Sequence, residues 1–195
     1  MIAGSLKPIL RSVKEKEIRV LRPVEYKAIW NASGKYKNQV ILDCLLLTAG
    51  RITELKEMEI NREWFDFDGR NIHIREHKAK RVERGVKDRY IHLSIKGVEV
   101  VRNFINNKYY IPSYQALEQN LKRWAMKGNV DPSYLSGKVF RKTYESWLIF
   151  SMPDKAISIL QSTGHTQEVA MEHYLNLPFQ ENDRIAMKEY VEGWM

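Results

Sequence analysis

The hydrophobic pattern changes its period at Trp64 and changes back after Leu93, and this change limits the fold more than any other feature. Outside this region, apolar residues recur at helical spacing. Inside it, Ile72 and Ile74 alternate with polar neighbours, as on a half-buried strand. Asp68-Gly69 separates the first two runs and predicts a tight turn. The sequence therefore predicts an α+β fold, mostly helical, with a small three-stranded antiparallel sheet.

The predicted strands cover residues 64–67, 72–75 and 90–93. The intervening residues 76–89 are highly charged, so a long basic hairpin is expected between the second and third strands. Of the predicted helices, 36–48 is the most apolar, and 138–150 carries its apolar residues along one stripe. A break at Ala49-Gly50 ends the first of these helices, and Arg51 follows at once.

Composition favours one packed domain with a polyanionic partner. The chain has 195 residues, 44% of them hydrophobic, and its 32 Lys and Arg exceed its 24 Asp and Glu, which gives a net charge of +8. A basic balance favours nucleic acid or a membrane surface, but no separate basic amphipathic helix with an aromatic face supports the membrane. No apolar run approaches the ~20 residues of a membrane span, and no signal-peptide core opens the chain.

The lone Cys44 is expected to be a buried packing thiol, which suits an intracellular, cytoplasmic protein.

The segment from Gly164 to Tyr174 is predicted to be a tight turn followed by a short helix, and His165 stands at the start of that helix. Two upstream segments supply arginines that could form a site together with this one: Thr48–Leu55 (TAGRITEL) and Lys138–Arg141 (KVFR). Arginine suits the non-bridging oxygens of a phosphodiester, because its planar fork matches phosphate geometry and it stays charged. A tyrosine near these cations is a candidate nucleophile, since its phenol loses a proton more easily there.

In order and spacing, these segments resemble the first arginine box, the H-x-x-R box and the G-H box of the tyrosine recombinases, the family of phage integrases and Xer-type enzymes. Lys138 stands in the histidine place, which resembles integrases of archaeal viruses and plasmids, notably the fusellovirus type. The resemblance covers about residues 20–177. It implies a recombinase catalytic domain over 22–177, a basic arm or linker over 1–21, and a tail helix over 178–195.

The resemblance also implies roles. Arg51 and Arg141 would hold the scissile phosphate, His165 would donate a hydrogen bond to it, and Tyr174 would attack phosphorus to form a 3′-phosphotyrosine. Lys138 would stay cationic and clamp phosphate; the alternative is an ordinary solvated residue that opens the helix. The reaction would need no metal, ATP or other cofactor. The partner would be double-stranded DNA, bound by a homotetramer. The tail helix would dock on a neighbouring protomer, although packing on its own domain is an equal alternative.

A hairpin lysine would protonate the departing 5′-oxygen. Lys80 is favoured because it stands where the second strand should enter the turn; Lys78 has the same strand parity and is the alternative. Further basic residues are expected to hold the DNA backbone, which is also the simpler interpretation of the whole hairpin. These residues are Arg81, Arg84, Lys87 and Lys142.

Other interpretations stay open. Arg51 could form a plain surface ion pair with Glu54, and Tyr144 or Tyr190 could be the nucleophile. The chain could relax DNA as a type IB topoisomerase does, or bind DNA without cutting it. Residues 73–77 match H-x-x-E-H, the inverted zinc-protease motif. That motif needs both histidines on one helical face, whereas the alternation around Ile74 predicts a strand, where they would stand ~13 Å apart.

Overall fold

The computed structural model describes residues 9–13, 16–74, 88–164 and 179–194. Its helices are α1 (Pro23–Ser33), α2 (Tyr36–Leu47), α3 (Ile52–Ile60), α4 (Ile95–Asn107), α5 (Tyr114–Lys127), α6 (Val139–Ser151), α7 (Ala156–Thr163) and α8 (Glu181–Val191). Short 3-10 turns stand at Arg62–Trp64 and Pro153–Lys155. None of the helices in these ranges is long and apolar enough to cross a membrane.

The predicted three-stranded sheet is confirmed. It consists of β3 (Phe65–Asp66), β4 (Asn71–Ile74) and β5 (Arg89–His92), antiparallel and in that order. Ile72 pairs with Ile91, and both are buried against the helices. The first strand is shorter than predicted because Trp64 belongs to the preceding 3-10 turn. Of the predicted hairpin, residues 76–89, only Asp88 and Arg89 are described, and Arg89 belongs to β5 rather than to the hairpin; the other hairpin residues lie outside the described residues.

The segment before α1 differs from the predicted arm, because it contains a β-hairpin of β1 (Ile9–Val13) and β2 (Lys16–Val20). At its end, Arg19, Val20 and Leu21 are fully buried. Arg19 pairs with the buried Glu25 and donates hydrogen bonds to the carbonyl oxygens of Asp131 and Ser133. The sequence does not reveal this, since a basic residue in a charged segment indicates solvent unless its distant partners are known.

Helices α2 and α6 form the centre of the core, as their apolar patterns predict. The stretch from Val40 to Leu47 is buried on every face, and it includes Cys44, the thiol expected to pack. On α6, Tyr144 and Trp147 are buried, and Trp147 donates a hydrogen bond from Nε1 to the carbonyl oxygen of Leu21 at 2.9 Å. Helix α6 is thus tied to the strand that leads into the domain.

The tail helix α8 packs on its own domain, which is one of the two arrangements that the sequence leaves open. Arg22 holds Asp183 through Nε and Nη2, the shortest distance being 2.7 Å. The Tyr144 hydroxyl donates to the Tyr190 carbonyl oxygen at 3.1 Å. Trp194 is 2% exposed and meets the His92 ring edge-on at 5.8 Å. Docking of α8 on a neighbouring protomer stays a prediction, and it would require these contacts to break.

We expect Trp194→Ala to lower the free energy of unfolding by about 3 kcal/mol, because it empties a buried aromatic site. Ile185 on α8 is 66% exposed, so Ile185→Ala is the matched control and should change stability by less than about 0.5 kcal/mol. Urea denaturation measures both. Equal small effects would contradict packing of the tail on its own domain.

Candidate active site

A fixed turn presents Arg51 at the start of α3. Ala49 adopts a left-handed backbone with φ of 46°, and Arg51 is the residue that caps α3. The Thr48 hydroxyl donates to the Cys44 carbonyl oxygen at 2.6 Å and accepts from the Gly50 amide at 3.1 Å. A Cβ at Gly50 would lie 2.7 Å from that hydroxyl oxygen, so a larger residue there would displace the Thr48 side chain. The Arg51 side chain is 52% exposed and stays accessible to a ligand.

Glu54, 3% exposed, is the centre of the site. Its carboxylate accepts hydrogen bonds from the Arg51 amide, from Arg51 Nη1 and from Arg89 Nη2, each at 2.7 Å. Arg141 Nη1 stands 3.9 Å away. Burial opposes ionisation of Glu54, but attraction to Arg89, the Arg51 amide, Arg51 and Arg141 outweighs it and lowers its pKa. One buried negative charge therefore faces three positive ones.

Arg141 is deeply placed but weakly held. Its side chain is 8% exposed, and its Nη1 lies 3.5 Å from the Ala49 carbonyl oxygen, a long hydrogen bond. Among the described residues, its buried Nε has no hydrogen-bond partner. Burial and repulsion from Arg89 lower the pKa of Arg141 to about 10, which leaves it charged at neutral pH. Buried donors are normally satisfied, so this side chain is suited to receive an anion.

Arg51 and Arg141 line one cleft of about 330 Å³. Lys138 and Lys142 line it too, from the start of α6. Lys138 is exposed. Lys142 is mostly buried and lies 3.8 Å from Glu145. The structure therefore brings together all four predicted site residues that it describes, in a basic cleft of the right character for a phosphate group.

The predicted turn at Gly164 is present, and it lies beside the cleft. Gly164 ends α7 with φ of 69°. A Cβ built there would lie 3.3 Å from Arg89 Cδ and 3.4 Å from Arg141 Nη2. The chain thus leaves α7 next to the buried arginine. The remaining predicted site residues lie outside the described residues; they are Lys78, Lys80, Arg81, Arg84, Lys87, His165 and Tyr174.

The structure also bears on the alternative interpretation of Arg51 and on the alternative nucleophiles. The Arg51–Glu54 ion pair exists, but its carboxylate is buried and shared with other arginines. Tyr144 and Tyr190 are 1% and 4% exposed, and burial raises the pKa of both phenols. Neither can reach a DNA phosphate from the core.

Residue His73 of the H-x-x-E-H motif lies on strand β4, as its alternating neighbours predict. Its Nε2 stands 3.1 Å from Asp88, and its ring stacks on Tyr90 with centroids 4.4 Å apart. The helix that would place two histidines on one face is therefore not formed at His73. His77 lies outside the described residues.

Sequence reasoning misses two members of the site. It treats Glu54 only as a partner for a surface ion pair, and it places Arg89 in the charged stretch after the second strand. The position of Glu54 in the first turn of a helix is a local signal for this role, because an acidic residue three positions after the N-cap residue can accept a hydrogen bond from the N-cap amide. For Arg89 no local signal exists, since its partners are distant in the chain.

We expect Glu54→Gln to lower the free energy of unfolding by about 3 kcal/mol at pH 7, because three arginines lose their buried counter-charge. Because the folded-state pKa of Glu54 is lowered, its contribution is complete above the ordinary value of 4.5. The contribution is lost as the pH falls through the folded-state value. The difference between wild type and variant should therefore shrink in acid. Glu59→Gln on α3 is the control in urea denaturation, and a difference that does not depend on pH would contradict this role.

Comparisons with known proteins agree with this geometry. The model of the phage integrase family matches residues 19–181. The chain is 24% identical over 178 residues to "Tyrosine recombinase XerA" of Saccharolobus solfataricus, covering 89% of this chain and 57% of that protein. The fold resembles the crystal structure of XerA recombinase with a TM-score of 0.62 at 17% identity, covering 87% of this chain and 64% of that one.

The chain thus spans about three fifths of the length of these relatives. The match to the family model includes the turn of Arg51, the helix of Arg141 and the turn at Gly164. The chain belongs to the phage integrase family, that of the tyrosine recombinases.

Proposed function

We propose that this chain cuts and rejoins DNA at specific sites, through a covalent link between Tyr174 and a 3′-phosphate. The observation that carries the proposal is Arg141, which is buried beside Arg51 at a basic cleft and has an Nε without a partner among the described residues. A phosphodiester supplies the anion that such a side chain lacks. The family membership supports the same chemistry.

In the proposed reaction, the Tyr174 oxygen attacks phosphorus as its proton passes to a solvent water, and the bond from phosphorus to the 5′-oxygen breaks. A hairpin lysine, Lys80 or Lys78, gives that oxygen a proton. Arg51 and Arg141 balance the charge that grows on the two non-bridging oxygens. His165 donates a further hydrogen bond to the phosphate. The reverse attack by a 5′-hydroxyl rejoins DNA without an energy-rich cofactor, because the phosphotyrosine preserves the bond energy.

Lys138 occupies the histidine place of the family pattern, at the exposed start of α6 on the wall of the cleft. Lysine is a residue type that binds phosphate as a point charge, whereas histidine is the residue type that exchanges protons near neutral pH. We therefore assign Lys138 to phosphate binding and leave proton transfer to the hairpin lysine.

The biological setting is also part of the proposal. The substrate is double-stranded DNA, bound by a tetramer inside the host cell, and the DNA joined belongs to a mobile element. An archaeal virus or plasmid is the proposed source, supported by Lys138 in the histidine place and by the similarity to a protein of an archaeal organism. Arg81, Arg84, Lys87 and Lys142 are proposed to hold the DNA backbone.

Incubation with a nicked DNA that contains the target site should give a covalent adduct that survives denaturation and is lost in Tyr174→Phe. Tyr190→Phe is the control and should keep the adduct, because Tyr190 is buried in the core. Gel electrophoresis with labelled DNA measures both. DNA binding without any adduct would mean a non-catalytic module. Relaxation of supercoiled DNA without strand exchange would mean a type IB topoisomerase.

DNA affinity should fall steeply with salt, and Lys138→Met should reduce the slope of log K against log[salt] by about 0.9, because one phosphate contact is lost. Lys188→Met on α8 removes the same charge away from the cleft and is the control, with an unchanged slope expected. Fluorescence anisotropy over a salt series measures the slopes. Equal slopes for Lys138→Met and wild type would remove Lys138 from the phosphate-binding residues.

A further inference from the structure

Arg89 connects two parts of the site that come from distant stretches of the chain. It is the first residue of β5, where the chain returns from residues 75–87, and its side chain is 11% exposed. Nη2 donates to Glu54 Oε2 at 2.7 Å, and Nη1 donates to the Ser162 carbonyl oxygen at 3.0 Å. One planar guanidinium therefore joins the carboxylate that organises the arginines to the last turn of α7.

Strand β5 holds Ser162 at a second point. The His92 amide donates to the Ser162 hydroxyl oxygen at 3.0 Å. Ser162 is 5% exposed and stands two residues before Gly164. The end of α7 is thus fixed by the side chain of Arg89 at one end of β5 and by the backbone of His92 at the other.

Arg89 also packs against the turn that leads to His165 and Tyr174. Its Cδ would lie 3.3 Å from a Cβ at Gly164, and Arg141 Nη2 would lie 3.4 Å from the same point. The guanidinium groups of Arg89 and Arg141 share Glu54 as their carboxylate, at 2.7 and 3.9 Å. Since Arg89 makes the shorter contact, it limits how closely Arg141 can approach Glu54 and leaves Arg141 available to the cleft.

We propose that Arg89 is a positioning residue: by binding Glu54 and the Ser162 carbonyl at once, it keeps Arg141 and the turn at Gly164 in place beside the cleft. This rests on the proposed DNA cleavage. Arg89 is not assigned a contact with the substrate. A lysine could keep the charge at this position, but its single ammonium lacks the fork that reaches two acceptors in one plane.

Single-turnover cleavage of nicked site DNA with saturating protein tests the proposal. Arg89→Met should slow adduct formation by about 100-fold, and Arg89→Lys by about 10-fold, while the dissociation constant for DNA changes less than about 3-fold. Arg70 is the matched control, because it donates to the Gly193 carbonyl oxygen at 2.6 Å, away from the cleft. Arg70→Lys should cleave at the wild-type rate.

Hydrogen exchange at the amides of α7 provides a readout that does not depend on cleavage. Both Arg89 variants should exchange faster in the last turn of α7, whereas Arg70→Lys should leave it unchanged. Cleavage by Arg89→Lys at the wild-type rate, or unchanged exchange in Arg89→Met, would overturn the positioning role. If wild type forms no adduct, the proposed function fails, and the exchange measurement still decides whether Arg89 fixes α7.

Discussion

The site depends on the buried negative charge of Glu54. Glu54 receives hydrogen bonds from Arg51 and Arg89 and attracts Arg141, so three cations from separate parts of the chain meet at one carboxylate. A buried carboxylate is costly without such partners, and the arginines would repel one another without it. The remaining excess of positive charge makes the cleft electropositive. In this sense the fold brings β5 and α6 to Glu54 on α3.

The arginines around Glu54 differ in the number of their contacts and in their exposure, and these differences indicate different roles. Arg89 has strong, short contacts and little exposure, so it supports the structure around it. Arg51 has one firm contact but is half exposed, so it can adjust to a ligand. Arg141 is buried, and among the described residues its Nε has no hydrogen-bond partner, so it has the most to gain from a bound phosphate. Arg89 is fixed, Arg51 can adjust, and Arg141 has an Nε without a partner among the described residues. The cations are therefore preorganised, while the site stays open to a ligand.

Much of the fold and part of the site can be predicted from the sequence, for physical reasons that also explain the failures. The alternation around Ile72 and Ile74 reveals the sheet, because a strand with one buried face shows its period in the chain. Arg51 and Arg141 are identifiable because each stands in a recognisable local pattern. The roles of Arg19 and Arg89 are missed because their stability depends on acceptors far along the chain, in the segments around residues 131 and 162. Local patterns cannot report which distant carbonyl will satisfy a buried cation.

Helix α6 serves the core and the cleft at once. Phe140, Tyr144 and Trp147 are buried in the core, while Lys138 and Arg141 reach the cleft from the same short segment. The two functions are separated only by the angle at which each residue leaves the helix axis. Inserting one residue before Arg141 would rotate the C-terminal part of the helix by about 100° relative to its N-terminal part. A one-residue insertion or deletion here would therefore move the core residues and the cleft residues out of phase with one another, which a substitution does not do.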